Sequence, residues 1–272
     1  MDITHSLIGF GEAGSSFAAA AGWGKNTRAF DIRPVDYAGV TGCDSLAEAV
    51  SNSPLIISVV TADSAVTVAH EAALHIAPGA FFFDLNSVSP DSKRSAADAI
   101  EAAGGYYIDT AVMAPVNPQL MAVSLLISGP QAVAGEAALS NLGWTNIRVV
   151  GDDVGRAATI KMLRSVMYKG VEALTAECLL SCEKAGVTNE VLTSFGNDWS
   201  DKADYRFDRM LVHGLRRAAE MQESSKTLKS LGISPMLTSA TAGWHQAIGD
   251  LRISPVPDGL MPKLRAILER MP

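Results

Sequence analysis

The run Gly9-Phe10-Gly11-Glu12-Ala13-Gly14 constrains this chain more than any other feature, because of what flanks it. Leu7-Ile8 before it reads as the end of a strand, and Phe17-Ala18-Ala19-Ala20-Ala21 after it favours helix. Twenty residues past Gly11, after the strand-like Arg28-Ala29-Phe30, stands Asp31. Strand, glycine turn, helix, strand and acid in that order make a dinucleotide-binding βαβ unit. Gly9 permits the tight turn, Gly11 lets backbone approach a pyrophosphate, and Gly14 lets helix and strand pack closely. The helix start offers N–H groups and a positive dipole end to phosphate, which brings Phe10, Glu12 and Ala13 into the cofactor set. Asp31 can accept hydrogen bonds from a ribose diol and would repel a 2′-phosphate, so NAD is favoured. Arg33, two residues on beyond Ile32, would tolerate that phosphate and keeps NADP open.

The 272 residues, 48% of them apolar, suffice for two domains with a substantial core. A net charge of −7 argues against a general nucleic-acid or anionic-membrane surface. No apolar run reaches bilayer length, and the first residues lack the basic-then-apolar order of a signal peptide. Cys43, Cys178 and Cys182 make no even framework. Cys178 and Cys182, one helical turn apart, leave a redox or metal reading open beside simple packing. The expectation is a reduced, cytoplasmic enzyme with no metal.

Apolar runs of strand length occur at 6–8, 28–30, 55–60, 81–85, 106–108, 123–128 and 147–150, with helical patterns between most of them. This alternation predicts a parallel sheet covered by helices on both faces, with ligand loops at the strand ends. Val60 and Thr61 lie at one such end and join the expected cofactor residues. Past Gly151-Asp152-Asp153-Val154-Gly155 the character changes. Residues 156–185 show a sustained helical period, roughly 45 Å of helix, and helical patterns follow at 189–195, 203–231, 235–248 and 262–269. The predicted architecture is an α/β Rossmann-type domain (1–154) joined by a long helix to an all-α domain (155–272).

Several segments carry candidate chemistry. Asp84-Leu85-Asn86-Ser87-Val88-Ser89-Pro90 follows a strand and opens a helix, with Ser89 as cap and Pro90 in the first turn. Asn86 and Ser87 then sit at the sheet edge, either facing substrate or only closing a capped loop. Asp109-Thr110-Ala111-Val112-Met113-Ala114-Pro115-Val116 is expected to be a second loop at a strand end, functional or simply exposed. Lys161 lies early on the long helix with Arg164 and Ser165 one turn away. Burial beside Arg164 would lower its pKa toward that of a general base, whereas spacing alone equally allows a solvated lysine. His213, Arg216, Arg217 and Glu220 recur at helical steps, as an anion clamp or as an exposed charged face. No zinc-ligand or serine-triad spacing is present.

Taken together these segments resemble the β-hydroxyacid dehydrogenase superfamily of 3-hydroxyisobutyrate and 6-phosphogluconate dehydrogenases, along essentially the whole chain. In that family an Asp-x-Ser-Thr-x-Ser-Pro loop binds substrate; here residues 84–90 match it, with Asn86 for the first Ser. The family's catalytic lysine opens a Lys-x-x-Asn-Asn segment, and the resemblance puts Lys161 in that role. Arg164-Ser165 replace the Asn pair. Met113 and Pro115 stand in a loop that grips the substrate carboxylate elsewhere in the family. The anion clamp is therefore expected from Arg164, or from His213 and Arg216. The C-terminal part looks like a poorly characterised branch with a phosphogluconate-dehydrogenase-like domain. The resemblance implies hydride transfer between NAD(P) and a secondary alcohol, a 3-hydroxyacid or related polar alcohol, in a cleft between the domains. It also implies a homodimer through the helical domain. An imine reductase, and a nucleotide-binding protein without catalysis, are the alternatives.

Overall fold

A computed structural model describes residues 4–271. The chain forms two compact units, one ending at Lys161 and the other beginning at Met162. The division falls inside the long helix, a few residues past the glycine-rich segment where the sequence changes character.

The first unit opens with strand β1 (His5–Ile8), helix α1 (Glu12–Ala20), β2 (Thr27–Phe30) and a two-residue β3 (Thr41–Gly42). Then come α2 (Leu46–Val50), β4 (Leu55–Ser58), α3 (Ala65–Ala73), β5 (Phe81–Asp84) and α4 (Pro90–Ala102). It closes with β6 (Tyr106–Val112), β7 (Leu125–Ser128), α5 (Ala132–Asn141), β8 (Ile147–Val149) and the start of α6 (Arg156–Ala185). The strands make one sheet in the order β3-β2-β1-β4-β5-β6-β7-β8. Strand order reverses between β1 and β4, the crevice where ligands bind in open α/β sheets.

Alternation along each strand builds a core on both faces. Leu7, Ile57, Phe83 and Ile108 pack with Phe17 of α1 and Leu139 of α5. Their neighbours Ile8, Ile56, Phe82 and Tyr107 pack with Leu46 of α2, Ala69 of α3 and Ile100 of α4.

Two expectations need correction. The sheet is not parallel throughout, because β7 runs antiparallel to β6. Only a short 3-10 turn, Leu120–Ala122, lies between these strands, and a parallel return needs a longer crossover. Residues 109–112 are also strand rather than loop. The first part of β6 pairs with β5 in parallel, ending at Asp84↔Asp109. The second part, Asp109 to Val112, pairs with β7, which extends the strand beyond its apolar run.

The second unit holds the rest of α6 with α7 (Thr188–Phe195), α8 (Trp199–Ser230), α9 (Met236–Asp250) and α10 (Leu260–Leu268). Leu179 and Leu180 of α6, Phe207 and Met210 of α8, Ile248 of α9 and Leu264 of α10 share its core. Among the described residues no helix is long and apolar enough to cross a membrane.

Candidate functional site

The glycine turn is built as its sequence suggests. Gly9 has φ +94°, and a Cβ there would sit 2.3 Å from the Val59 carbonyl oxygen. A Cβ on Gly14 would lie 2.2 Å from the Gly9 oxygen and 3.3 Å from Leu7 of β1. Gly11 is different: a Cβ there would meet only the Arg33 guanidinium, at 3.5 Å. The middle glycine thus leaves approach room while the outer two serve close packing. Gly11 caps α1 with no side-chain hydrogen bond, so the cradle fits a dinucleotide pyrophosphate.

Asp31 also braces this turn. Its carboxylate accepts the Phe10 N–H at 2.9 Å and the Arg33 N–H at 2.9 Å. Arg33 Nε lies 3.6 Å from it, with the Arg33 side chain 72% exposed and that of Asp31 only 7%. The end of β2 therefore presents a carboxylate and a guanidinium side by side, next to an exposed Ile32.

At the next strand end, the Val60 N–H donates to Asn86 Oδ1 at 2.6 Å and Asn86 Nδ2 donates to Ser58 Oγ at 3.0 Å. Asn86 is 3% exposed. Its amide faces β4 and braces the Val60–Thr61 turn. Thr61 Oγ1 lies 3.2 Å from Ser64 Oγ. Ser89 caps α4 with Pro90 in its first turn, as the sequence suggests.

Ser87 and Lys161, 74 residues apart, come together: Lys161 Nζ donates to Ser87 Oγ at 2.5 Å. Both are half-buried. Each hangs from a buried carboxylate. Asp84 Oδ1 accepts the Asn86 N–H at 2.9 Å, and Asp84 Oδ2 accepts the Tyr107 hydroxyl at 2.5 Å. Asp109 Oδ2 accepts the Gly155 N–H at 3.1 Å and the Ala158 N–H at 3.0 Å, capping α6. Ser128 Oγ donates to Asp109 at 3.2 Å and accepts the Ala157 N–H at 3.1 Å.

Between the carboxylates lies Lys93, 1% exposed. Its Nζ is 3.0 Å from Asp84 Oδ1 and 3.5 Å from Asp109 Oδ1, and it donates to the Asp84 carbonyl at 2.6 Å. Burial pushes the Asp109 pKa up, against the opposing pull of Lys93 and the Ala158 N–H. Burial first, and then Asp84, raise the Tyr107 hydroxyl well above its ordinary value, so it stays a proton donor. Sequence reasoning missed Lys93. The signal was there: Lys93 stands three, four and seven residues before Ala96, Ala97 and Ile100, on the buried stripe of α4.

Met113 is half-buried; its N–H donates to the Ser124 carbonyl at 2.9 Å, and its side chain joins Ala111, Leu126, Ala157 and Ile160 in an apolar cluster.

The remaining candidates lie in the second unit. The Arg164 guanidinium stands 4.2 Å over the Tyr168 ring. Lys169 links two others: its Nζ donates to Ser165 Oγ at 3.3 Å and pairs with Glu220 at 2.7 Å, while Arg216 Nε lies 4.0 Å from Glu220. His213 is half-buried on α8. Arg217 forks onto Glu172, which also lies 3.5 Å from buried His245. Lys169, Glu172 and His245 were not foreseen, because their partners are set by helix packing rather than by local spacing.

Comparison with known proteins gives this arrangement its family. Residues 4–146 match the model described as the NAD binding domain of 6-phosphogluconate dehydrogenase, and the chain belongs to that family. Residues 183–248 match a domain of unknown function, DUF1932. The chain is 36% identical to a conserved hypothetical protein from Sinorhizobium meliloti 1021, covering 99% of this chain and 97% of that one, with a TM-score of 0.76. It is 28% identical to protein MTH1747, whose structure is described as similar to 3-hydroxyacid dehydrogenases, over 91% of this chain and 97% of that one, TM-score 0.67. The 3-hydroxyisobutyrate dehydrogenase of Mycobacterium tuberculosis shares the fold at 18% identity, 99% coverage of both chains and a TM-score of 0.71. The first unit is therefore an NAD-binding domain of this family, and the chain has a 3-hydroxyacid-dehydrogenase-like fold.

Proposed function

We propose that the protein interconverts the secondary alcohol of a small hydroxyacid, or a related polar alcohol, and its ketone, with Lys161 as general acid and base. The Lys161–Ser87 contact carries this reading. An amine within hydrogen-bond reach of a serine hydroxyl, at the carboxyl edge of a dinucleotide-binding sheet, suits proton transfer at a substrate hydroxyl. The bound nicotinamide supplies the hydride acceptor. Lys161, as free amine, takes the alcohol proton during oxidation and returns it during reduction. Ser87 Oγ orients the lysine and the substrate oxygen. Asn86 and Asp31 keep the neighbouring turns in place. Arg164, or Ser165 with the Lys169–Glu220–Arg216 chain and His213, is the proposed source of contacts to the anionic end.

The test is absorbance at 340 nm with NAD(H) and NADP(H) against hydroxyacids, polyols, aryl alcohols and cyclic imines. Lys161→Met should lower alcohol turnover about a hundredfold or more while leaving dinucleotide affinity within twofold. Normal turnover in that variant would sink the assignment. Turnover of imines alone would establish the C=N reductase instead, and dinucleotide binding without any turnover would leave a binding role.

We also propose a homodimer through the helical unit. On α6, Met167 is 67%, Tyr168 61% and Leu174 66% exposed, an apolar stripe unusual for a free surface. It borders an open groove of about 360 Å³ lined by Val171, Tyr205 and Arg206 among others. Light scattering should give twice the chain mass, and Leu174→Glu should halve it. A reducing, cytoplasmic setting is proposed from the three free cysteines; a fractionation that finds the protein elsewhere would overturn it.

A further inference from the structure

The geometry points to Lys93 as the positioning residue of the Ser87–Lys161 pair, an inference that rests on the role proposed for Lys161. Its ammonium bridges two carboxylates that lead to the two partners. Asp84 fixes the Asn86 N–H, one residue before Ser87. Asp109 fixes the Ala158 N–H, one helical turn before Lys161. Ser87 therefore follows by one residue, and Lys161 by three, a point held by this network.

The arrangement is costly unless it serves geometry. Asp84, Lys93 and Asp109 are each 1% exposed or less. Desolvating three ionisable groups costs several kcal/mol per ion, which the pairing only partly offsets. Asp109 Oδ1 has no hydrogen-bond partner and only the 3.5 Å approach of Lys93. An apolar residue at position 93 would pack with Ala96, Ala97 and Ile100 on the stripe it already shares. What it could not do is hold the β5–α4 loop and the start of α6 to one point. Of the other charged groups on α4, Asp91 and Arg94 pair with each other at the surface, and Asp98 and Glu101 are exposed, Glu101 adding the least of the upward pushes on Tyr107; the buried charge balance falls to these three and the neutral Tyr107.

The test reads Lys161 itself, without substrate. Competitive acetylation with limiting acetic anhydride, quantified by peptide mass spectrometry, gives the reactivity of Lys161 relative to exposed Lys229 across pH. Ser87→Ala removes one acceptor of the Lys161 ammonium. At neutral pH it should raise relative labelling of Lys161 about threefold or more. Lys93→Met should reproduce that rise, with NADH affinity, followed by fluorescence, within twofold of wild type because the glycine turn is untouched. Should Lys93→Met fail to fold, Lys93→Met/Asp109→Asn removes one charge of each sign and keeps an acceptor for the α6 start, and it carries the test. A folded variant whose Lys161 profile matches wild type overturns the inference. So does a Ser87→Ala profile indistinguishable from wild type, because the Ser87 contact would not then act on Lys161. Failure of the hydroxyacid reading looks different: wild type turns over no alcohol, whatever the labelling shows.

Discussion

Both units bury charge against side chains, and the carboxylates of the sheet unit also hold backbone N–H groups. In the sheet unit, Asp84 and Asp109 accept backbone N–H groups from the segments that carry Ser87 and Lys161. In the helical unit, Glu172 and Glu220 meet side chains: Arg217 and His245 for the first, Lys169 and Arg216 for the second. Helix interiors satisfy their own backbone, so buried ions there are left to pair helix with helix. Loops at sheet edges have unsatisfied N–H groups, and a buried carboxylate can hold them in place. The lesson is that buried charge tied to backbone marks where geometry serves chemistry, whereas buried charge tied to side chains fixes helix register.

Removing one anion from each network should expose the difference. Asp109→Ala leaves Lys93 short of a partner and uncaps α6, and should cost about 3–5 kcal/mol by urea denaturation. Glu172→Ala strands Arg217 and should cost a similar amount. The two should part in Lys161 labelling: Asp109→Ala changes it and Glu172→Ala does not. An equal change in both would break the distinction between the networks.

Histidine burial offers a second, smaller test. Burial lowers the His5 pKa to about 4, and burial, with Arg217 and Lys169 adding to it, lowers His245 to about 4. A depressed histidine pKa means that the unfolded chain binds the proton first. Stability is therefore intact above pH 6.5 and is lost as pH falls toward 4, by up to about 3 kcal/mol for each group. The surroundings of the two rings differ. The His5 ring nitrogens reach Thr4 Oγ1 at 2.9 Å and Thr27 Oγ1 at 3.1 Å, while the His245 ring has only looser approaches, to the Lys169 backbone and to Glu172 at 3.5 Å. At pH 7 His245→Phe should thus be tolerated better than His5→Phe, and each should flatten the acid limb of the stability curve. An unchanged limb in both variants would refute the assignment.

The same contrast explains what could be read from the sequence. The turn from Gly9 to Gly14, the strand ends and the extent of α6 follow from local periodicity and glycine chemistry. The reversal of β7 and the strand character of residues 109–112 do not, because they depend on pairing between segments distant in sequence. Asn86 sits in the loop foreseen for substrate, yet its amide is turned to Val60 and Ser58, a choice that only the packed strand ends decide. Lys93 was readable from helical period alone, as a charge on an apolar stripe. Arg217 was readable as one of a charged cluster, but its pairing was not, since its partner Glu172 lies 45 residues away.

The smallest expected effect separates the units most finely, because it removes one hydrogen bond made by a neutral side chain from each. Tyr107→Phe deletes the hydroxyl that donates to Asp84 Oδ2. The carboxylate stays buried with Lys93 and the Asn86 N–H, so the cost should be about 1.5–3 kcal/mol, as for a hydrogen bond to a charged group. Thr175→Val removes the acceptor of Arg206 Nη1 at 3.2 Å. Arg206 is half-buried and reaches the Trp199 ring as well, so the cost should stay near ~0.5–1 kcal/mol. Urea denaturation measures both. The sheet-unit variant should also raise Lys161 labelling slightly, because Asp84 loses one of the bonds that fix its orientation toward the Ser87 loop. If Tyr107→Phe leaves both stability and labelling at wild-type values, Asp84 is held by Lys93 and the Asn86 N–H alone, and the network contracts to the three ions.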